Sequence, residues 1–301
     1  MRVALAISSY NGDLGALDLV RKANDESFAG MFTGVAVVDS GEPVRCAQLR
    51  DALLADHAEV EYQWHDGNLG AAKNLHERLV WAEARSADAV LAVNADGHLQ
   101  AENVRTLIGL MDRTGAAAVY PTAVLEGGHV DLSYRQPVPV LPSRRPIADL
   151  AGKSIVTVSW GSSNGALYRL KATGAVRFGA VEDLWHGWED LALGLLLREG
   201  DGLQMMSLEA AQPTSSDQRR LGANGPVISH KEPWTTYYSV RNLVLIGGQH
   251  RRLRHRVALR VVREFVTILL RDRHKERYAQ AVRGLQDGLR GRTGLRVPPT
   301  S

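Results

Sequence analysis

Residues 89–97 read Ala89-Val-Leu-Ala-Val-Asn-Ala-Asp-Gly97, five apolar residues closed by an amide, a carboxylate and a glycine. A short unbroken apolar run suits a strand covered on both faces. Two more precede it, Val3-Ala-Leu-Ala-Ile7 and Gly34-Val-Ala-Val-Val38. Stretches with helical spacing of apolar residues lie between and after them, at 14–23, 43–54, 69–84 and 102–114. Val60 to Trp64 and Ala116 to Tyr120 read as further strands. Strands alternating with helices predict an α/β fold, with a mostly parallel sheet and helices on both faces. Ligands of such sheets bind at the carboxyl ends of the strands, near the point where strand order reverses. That singles out Ser8-Ser-Tyr-Asn11, Asp39-Ser40 and Asn94-Ala-Asp96.

The second half is less regular. Residues 121–158 carry Pro137, Pro139, Pro142 and Pro146 and read as an insertion or a hairpin. Regular structure resumes at Asn164-Gly-Ala-Leu-Tyr-Arg169, and Trp188 to Glu199 reads as a helix with Glu189 and Asp190 in its first turn. Residues 212–236 read as a polar loop. From Pro233 onward the pattern is mostly helical, with a basic amphipathic stretch from Arg251 to Arg290. After residue 242 there are 14 basic and 4 acidic residues, so a net charge of +3 hides a faintly acidic body and a basic tail. Such a tail suits an anionic surface.

Composition removes several classes. The chain has 301 residues, 45% of them hydrophobic and 23% charged, enough for a sizeable core in one large or two modest domains. A lone cysteine, Cys46, excludes an internal disulfide framework and a multi-cysteine zinc site. No apolar run reaches membrane-spanning length, and the N-terminal segment is expected to be the first strand rather than a signal peptide. The first strand runs into Ser8-Ser-Tyr-Asn-Gly12, not a G-x-G-x-x-G loop, and no P-loop is present. Gly161-Ser-Ser-Asn164 is not a nucleophile elbow. What remains is a set of acids and amides at strand ends. Asp96 could hold a divalent cation against a diphosphate, or simply cap the turn before Gly97. Asp39 has the same two readings.

Seven ordered segments together resemble the family 2 glycosyltransferases of the GT-A fold. Val3 to Asn11 resembles that family's opening strand and Tyr-Asn, and Val37-Val-Asp-Ser-Gly41 its V-V-D-N-G/S segment. Gly67-Asn-Leu-Gly-Ala-Ala72 is similar to N-x-G-x-A, and Ala92-Val-Asn-Ala-Asp-Gly97 stands where a D-x-D-type element belongs. Gly161 to Arg169 resembles G-A-x-x-x-R, and Gly187-Trp-Glu-Asp-Leu-Ala-Leu193 the G-E-D-x-D-L element. Tyr237-Tyr-Ser-Val-Arg-Asn242 resembles the Y-Y-x-x-R-N signature of rhamnosyl- and galactofuranosyl-transferase-like members.

The resemblance implies a GT-A catalytic domain over residues 1–232, with a nucleotide-sugar half (1–120) and an acceptor half (121–232), followed by a basic helical region (233–301). It implies that Ser8, Tyr10, Asn11, Asp39, Asn68, Gly70, Lys73 and Asn94 hold the nucleotide. Asp96 would bind a divalent metal, Mg2+ or Mn2+. Trp160, Asn164, Gly165 and Trp188 would face sugar or acceptor, and Asp190 or Glu189 would be the general base. First-turn acids are also favoured by the helix dipole alone. Three departures stand out. Asn94 replaces the first Asp of D-x-D. Gln212 stands where related members place a metal-binding His, which leaves His230 as a substitute. Lys73 and Asn74 follow the N-x-G-x-A segment at a spacing not shared by every member, and Asn68 and Asn74 could be surface polar groups.

The expected function is inverting, metal-dependent transfer from a UDP- or dTDP-sugar, such as dTDP-rhamnose, to a cell-envelope glycan, glycolipid or natural-product acceptor. The alternative is a non-catalytic nucleotide-sugar-fold protein that binds at a membrane surface. The expected place is the cytoplasm, at the inner face of the membrane, with no nucleic-acid partner and with a homo-oligomer as an allowed state. The tail has two readings, a peripheral membrane helix or a helix packed on the catalytic domain with a solvated basic face.

Overall fold

A computed structural model describes residues 1–125, 127–141, 143–174, 179–213, 218–220, 227–229 and 232–299. The first half lays down β1 (Val3–Tyr10), α1 (Gly15–Ala23), β2 (Gly34–Gly41), α2 (Pro43–Asp56) and β3 (Glu61–Asp66). It continues with α3 (Gly70–Ala84), β4 (Ala89–Asn94), α4 (Ala101–Thr114) and β5 (Ala118–Leu125). Next come three short strands, β6 (His129–Asp131), β7 (Arg144–Pro146) and β8 (Ile155–Thr157), then β9 (Ala166–Arg169). Two single turns, α5 (Leu170–Thr173) and α6 (Gly179–Glu182), lead to α7 (Glu189–Glu199) and β10 (Gln204–Pro213). The chain closes with β11 (Gln218–Arg220), β12 (Val227–Ser229), α8 (Pro233–Gln249), α9 (Arg254–Thr267) and α10 (Lys275–Leu289).

The main sheet has the order β3-β2-β1-β4-β9-β5-β10-β8. Strands β3, β2, β1 and β4 are mutually parallel, and β10 is parallel to β5. The antiparallel β9 lies between β4 and β5. The fold is therefore α/β with a mostly parallel sheet, as the alternation predicts. The chain steps outward from β1 to β2 and β3, then returns to β1's other side with β4. Strand order thus reverses between β1 and β4, and a crevice opens at their carboxyl ends.

Period-2 alternation in β1 assigns the layers. Val3, Leu5 and Ile7 join Leu17 and Val20 of α1, Leu49 and Leu53 of α2, and Leu107 and Met111 of α4. Ala4 and Ala6 face the other way, toward Leu75, Leu79 and Ala82 of α3. The same layer takes in Leu191 and Leu195 of α7, Val240, Leu243 and Ile246 of α8, and Val257 and Val261 of α9. The C-terminal helices thus share the core of the sheet domain. Two readings of the second half change. The polar loop expected at 212–236 contains the antiparallel pair β11–β12 and the first turn of α8. The amphipathic stretch from 251 to 290 is broken by a π-helical turn, Ile268–Asp272, and by Arg273 in the left-handed region (φ 50°). The break lets α10 fold back on α8, where small residues permit backbone contact. A Cβ on Gly284 would lie 2.4 Å from the Tyr237 carbonyl oxygen, and one on Gly288 2.8 Å from that of Arg241.

Tyr237, Tyr238, Arg241 and Asn242 are all fully buried in α8. The Tyr237 hydroxyl donates to Asp287 of α10 (2.8 Å), and the Tyr238 hydroxyl to the Val297 carbonyl (3.0 Å). Arg241 donates to the carbonyls of Leu184 and Gly294. The Asn242 amide donates to the carbonyls of Leu184 (3.0 Å), His186 (2.8 Å) and Gly187 (2.7 Å). These four side chains therefore tie the segment before α7 to the C-terminal segment. In that segment Trp185, Gly187 and Trp188 all have positive φ (60°, 81° and 67°). Backbone strain of this kind persists only where surrounding contacts over-determine it.

Candidate active site at the strand ends

A cleft of about 420 Å³ opens at the carboxyl ends of β1 and β4. Ser8 and Tyr10 of β1, Asn94 and Asp96 at the end of β4, and Asn68 and Gly70 at the start of α3 line it. Ser163, Trp185, His186 and Glu189 also line it, with Trp234 of α8 and Pro299. Residues from both halves and from the C-terminal helices therefore meet here.

Each placement has a local cause. The Ser8 hydroxyl donates to Asn94 Oδ1 (3.0 Å), and the Asn94 backbone N–H donates to Asn164 Oδ1 (3.0 Å). Gly165, at φ 82°, donates its N–H to the Ala92 carbonyl (2.7 Å). Asn164 and Gly165 thus hold the end of β4 in register and stand behind the cleft wall. Tyr10 keeps its ring half exposed at the rim, where an aromatic face can stack on a planar base. Asn68 Oδ1 accepts the Gly70 N–H (2.8 Å), turning the chain into α3. Gly70 has φ 73°, and a Cβ there would lie 2.3 Å from the Trp185 carbonyl oxygen. Gly70→Ala is therefore expected to cost about 2–4 kcal/mol in chemical denaturation, since backbone opposes backbone and the left-handed φ disfavours Ala.

Several expected nucleotide and sugar residues stand away from the cleft lining. Asn11 (φ 54°) spends its Oδ1 on the Glu42 N–H (2.9 Å), bracing the start of α2. Asp39 is fully buried. Its Oδ2 accepts from the Tyr62 hydroxyl (2.7 Å) and its Oδ1 from the N–H groups of Ser40 (2.9 Å) and Gly12 (3.4 Å). It shapes the backbone around β1 and β2, and Ser40 is the residue that reaches the cleft. Lys73 is exposed on the outer side of α3. Trp160 is buried and donates its Nε1–H to the Gln136 carbonyl (2.9 Å). Trp188 packs edge-on against Trp160 and donates to Ser239 Oγ (3.2 Å). The aromatic residues that line the cleft are Tyr10, Trp185, His186 and Trp234.

Two further cleft residues, Asn74 and Arg78, sit in α3. Asn74 is buried, not a surface group, and its Nδ2 donates to the Val38 carbonyl (3.1 Å). Arg78, one turn on, is buried and donates to the Val93 carbonyl (3.3 Å). Both line the cleft, and Asn74 Oδ1 and Arg78 Nε have no hydrogen-bond partner among the described residues. Burial pulls the Arg78 guanidinium down to about 10, opposed by the nearby carboxylates of Asp190 and Glu189. A signal existed: Asn74 and Arg78 are i, i+4 and fall beside Leu75, Leu79 and Ala82 on the apolar stripe of α3.

The two acids of α7 part company. Glu189 lines the cleft. Asp190 is set behind it and accepts the Ser163 backbone N–H (3.1 Å). Burial, then the neighbouring charge of Glu189, pushes the Asp190 carboxyl up to about 7, against the Ser163 hydrogen bonds and Arg78.

No group of three or more His, Cys, Asp or Glu side chains that could hold a metal exists among the described residues. Asp96 is exposed at the cleft, and Asn94 lines it two residues before. Gln212 donates to the His98 carbonyl (3.2 Å) and lies against Gly165. His230 lies outside the described residues. One carboxylate and one amide do not make a protein cage. They do fit a hard cation that shares its ligands with substrate phosphates and water.

No protein-family model and no curated protein sequence matches the chain. Solved structures do match in fold. A crystal structure of S. aureus TarS 1–349 with UDP-GlcNAc superposes with a TM-score of 0.60 at 14% identity, covering 97% of this chain and 82% of that one. Crystalline GalNAc-T7 with UDP, GalNAc and Mn2+ superposes with a TM-score of 0.56 at 11% identity, covering 82% of this chain and 48% of that one. The chain has the fold of the GT-A glycosyltransferases.

Proposed function

We propose that this chain transfers a sugar from a UDP- or dTDP-sugar, dTDP-rhamnose among them, to an acceptor hydroxyl with inversion at the anomeric carbon. The observation that carries the reading is the cleft itself. Its lining brings the strand-end residues Tyr10, Asn94 and Asp96 together with Arg78 and a carboxylate, Glu189. Tyr10, Ser40 and Asn68 bind base and ribose. Arg78 supplies fixed positive charge to the leaving diphosphate in a water-poor setting, where it is worth most. Trp185 and Trp234 give aromatic faces to the sugar. Glu189 takes the proton of the attacking hydroxyl, and Asp190 holds Ser163 and the loop that follows. A single displacement with inversion needs base and leaving group on opposite sides of the sugar, the roles this reading gives to Glu189 and the diphosphate.

Asp96, with Asn94, would hold a Mg2+ or Mn2+ ion, which when bound neutralises charge on the diphosphate. The basic tail favours an acceptor on a glycan or glycolipid of the cell envelope, reached from the cytoplasm, over a free natural product. Support for the donor class comes from TarS and GalNAc-T7, which were crystallised with UDP-GlcNAc and with UDP and GalNAc.

The test is a thermal-shift screen of nucleotide sugars, followed by donor hydrolysis with Mg2+ or Mn2+. Asp96→Ala is expected to abolish the metal-stimulated part of turnover without changing the melting temperature. Unchanged metal stimulation in that variant would remove the metal role. Donor binding without any turnover would instead favour a nucleotide-sugar-binding module.

A further inference from the structure

We infer that the outward face of α9 is a docking surface for an anionic lipid bilayer. The helix is apolar on two opposite sides. Val257 and Val261, with Ile268 just beyond, are buried against the domain. At 100° per residue, Leu259, Val262 and Val266 point the other way, and Leu269 and Leu270 in the π turn extend the same stripe. These five side chains are 55%, 58%, 46%, 54% and 69% exposed. Single exposed apolar residues need no explanation, but five on one stripe mark a contact surface.

The surrounding charge selects the partner. Two acids of this stretch are turned inward, where Glu264 pairs with Arg260 (3.1 Å) and Asp272 with Arg277, which leaves Glu276 as the exposed acid beside Lys275. Arg260 also lies over the ring of Trp188, 5.6 Å from its centroid, which seats the inner face of α9 beside the start of α7. Arg251, Arg252, Arg273 and Lys275 are exposed at the two ends of the stripe. An apolar stripe with basic ends lies in the headgroup region, its apolar side chains among acyl chains and its cations on anionic headgroups. A second copy suits the face less well, because a twofold contact would set like charges against each other.

The experiment is co-sedimentation of the full chain with phosphatidylcholine vesicles, with and without phosphatidylglycerol. Binding is expected only to the anionic vesicles and should weaken with salt. Arg251→Glu, Arg252→Glu and Arg273→Glu together should lower partitioning by at least about fivefold per arginine. Leu259→Ser, Val262→Ser and Leu269→Ser together should lower it by more than about tenfold and remove the salt-resistant remainder. A second measurement avoids any folding defect. Cys46 is buried, and burial with the nearby Asp39 charge pushes its thiol up to about 11. A fluorophore on Val262→Cys therefore labels one site, and its emission should shift to the blue on anionic vesicles.

Wild-type protein that ignores anionic vesicles, or a probe at 262 that stays in water while the protein sediments, would overturn the assignment. So would a solution dimer that the serine variant dissolves. None of these readouts needs a nucleotide sugar, so failure here is distinct from failure of the transfer reaction.

Discussion

Glu189→Gln is expected to lower kcat by about 10²–10⁴-fold while leaving donor affinity nearly unchanged. Of the two acids at the head of α7, only Glu189 lines the cleft, so only it can meet an incoming hydroxyl directly. Gln keeps the size and hydrogen-bonding reach of Glu but cannot take the proton. Asp190→Asn should be milder, because the amide oxygen can still accept the Ser163 N–H. A crippled Asp190→Asn beside an active Glu189→Gln would reverse the two roles. If both variants turn over, the acids serve the helix dipole alone.

The pH dependence carries a sign. Asp190 is pushed up to about 7 by burial and by Glu189, so the pair ionises fully only above neutrality. Turnover is expected to rise as pH passes through about 7. Stability moves the opposite way. The folded chain keeps a proton that an unfolded aspartate releases near pH 4, so stability falls from about pH 4 to about pH 7. Melting curves of Asp190→Asn should lose that slope. A slope that persists in the variant would assign it to other groups.

Asn242→Ala is expected to cost about 3 kcal/mol or more, lowering the melting temperature by about 5–10 °C. One amide serves three backbone carbonyls, those of Leu184, His186 and Gly187. Its loss leaves them short of a donor in a buried setting. Those carbonyls belong to the segment whose three left-handed residues aim Trp185 and Glu189 at the cleft. The folded fraction of the variant should therefore show weaker donor binding as well as lower kcat. Arg241→Ala should be more severe, because the guanidinium also anchors the Gly294 carbonyl. A variant at Asn242 with wild-type melting would show that the strained segment holds itself.

The first half was legible because its signals are local. An unbroken apolar run must be covered on both faces, and alternation with helices leaves few ways to do so. Ser8, Tyr10, Asn94 and Asp96 were found for the same reason: they close strands, and strand ends in this fold share one edge. The antiparallel β9 gave no such signal, since Ala166-Leu-Tyr-Arg169 is too short for its direction to be read. Arg78 could have been read from its place on the apolar stripe of α3, had its charge been weighed against its periodicity.

The aromatic residues mark where local reasoning stops. Trp160 and Trp188 stand in segments that suggest a sugar pocket, yet both indole N–H groups are taken by Gln136 and Ser239. Trp234 reaches the cleft from a helix some 140 residues beyond Asn94, a proximity that only packing of α8 against the sheet domain creates. Tyr237, Tyr238, Arg241 and Asn242 form a recognisable sequence pattern, but spacing alone does not reveal whether they face substrate or backbone. By itself the sequence determined the strands β1 to β5, the helices between them and the strand-end edge, because hydrophobic burial and backbone pairing act through neighbours in the chain. Tertiary structure decided which acid reaches the cleft, which indoles line it and which side of α9 is left outside. Those outcomes depend on distant segments competing for the same buried surface and the same hydrogen bonds.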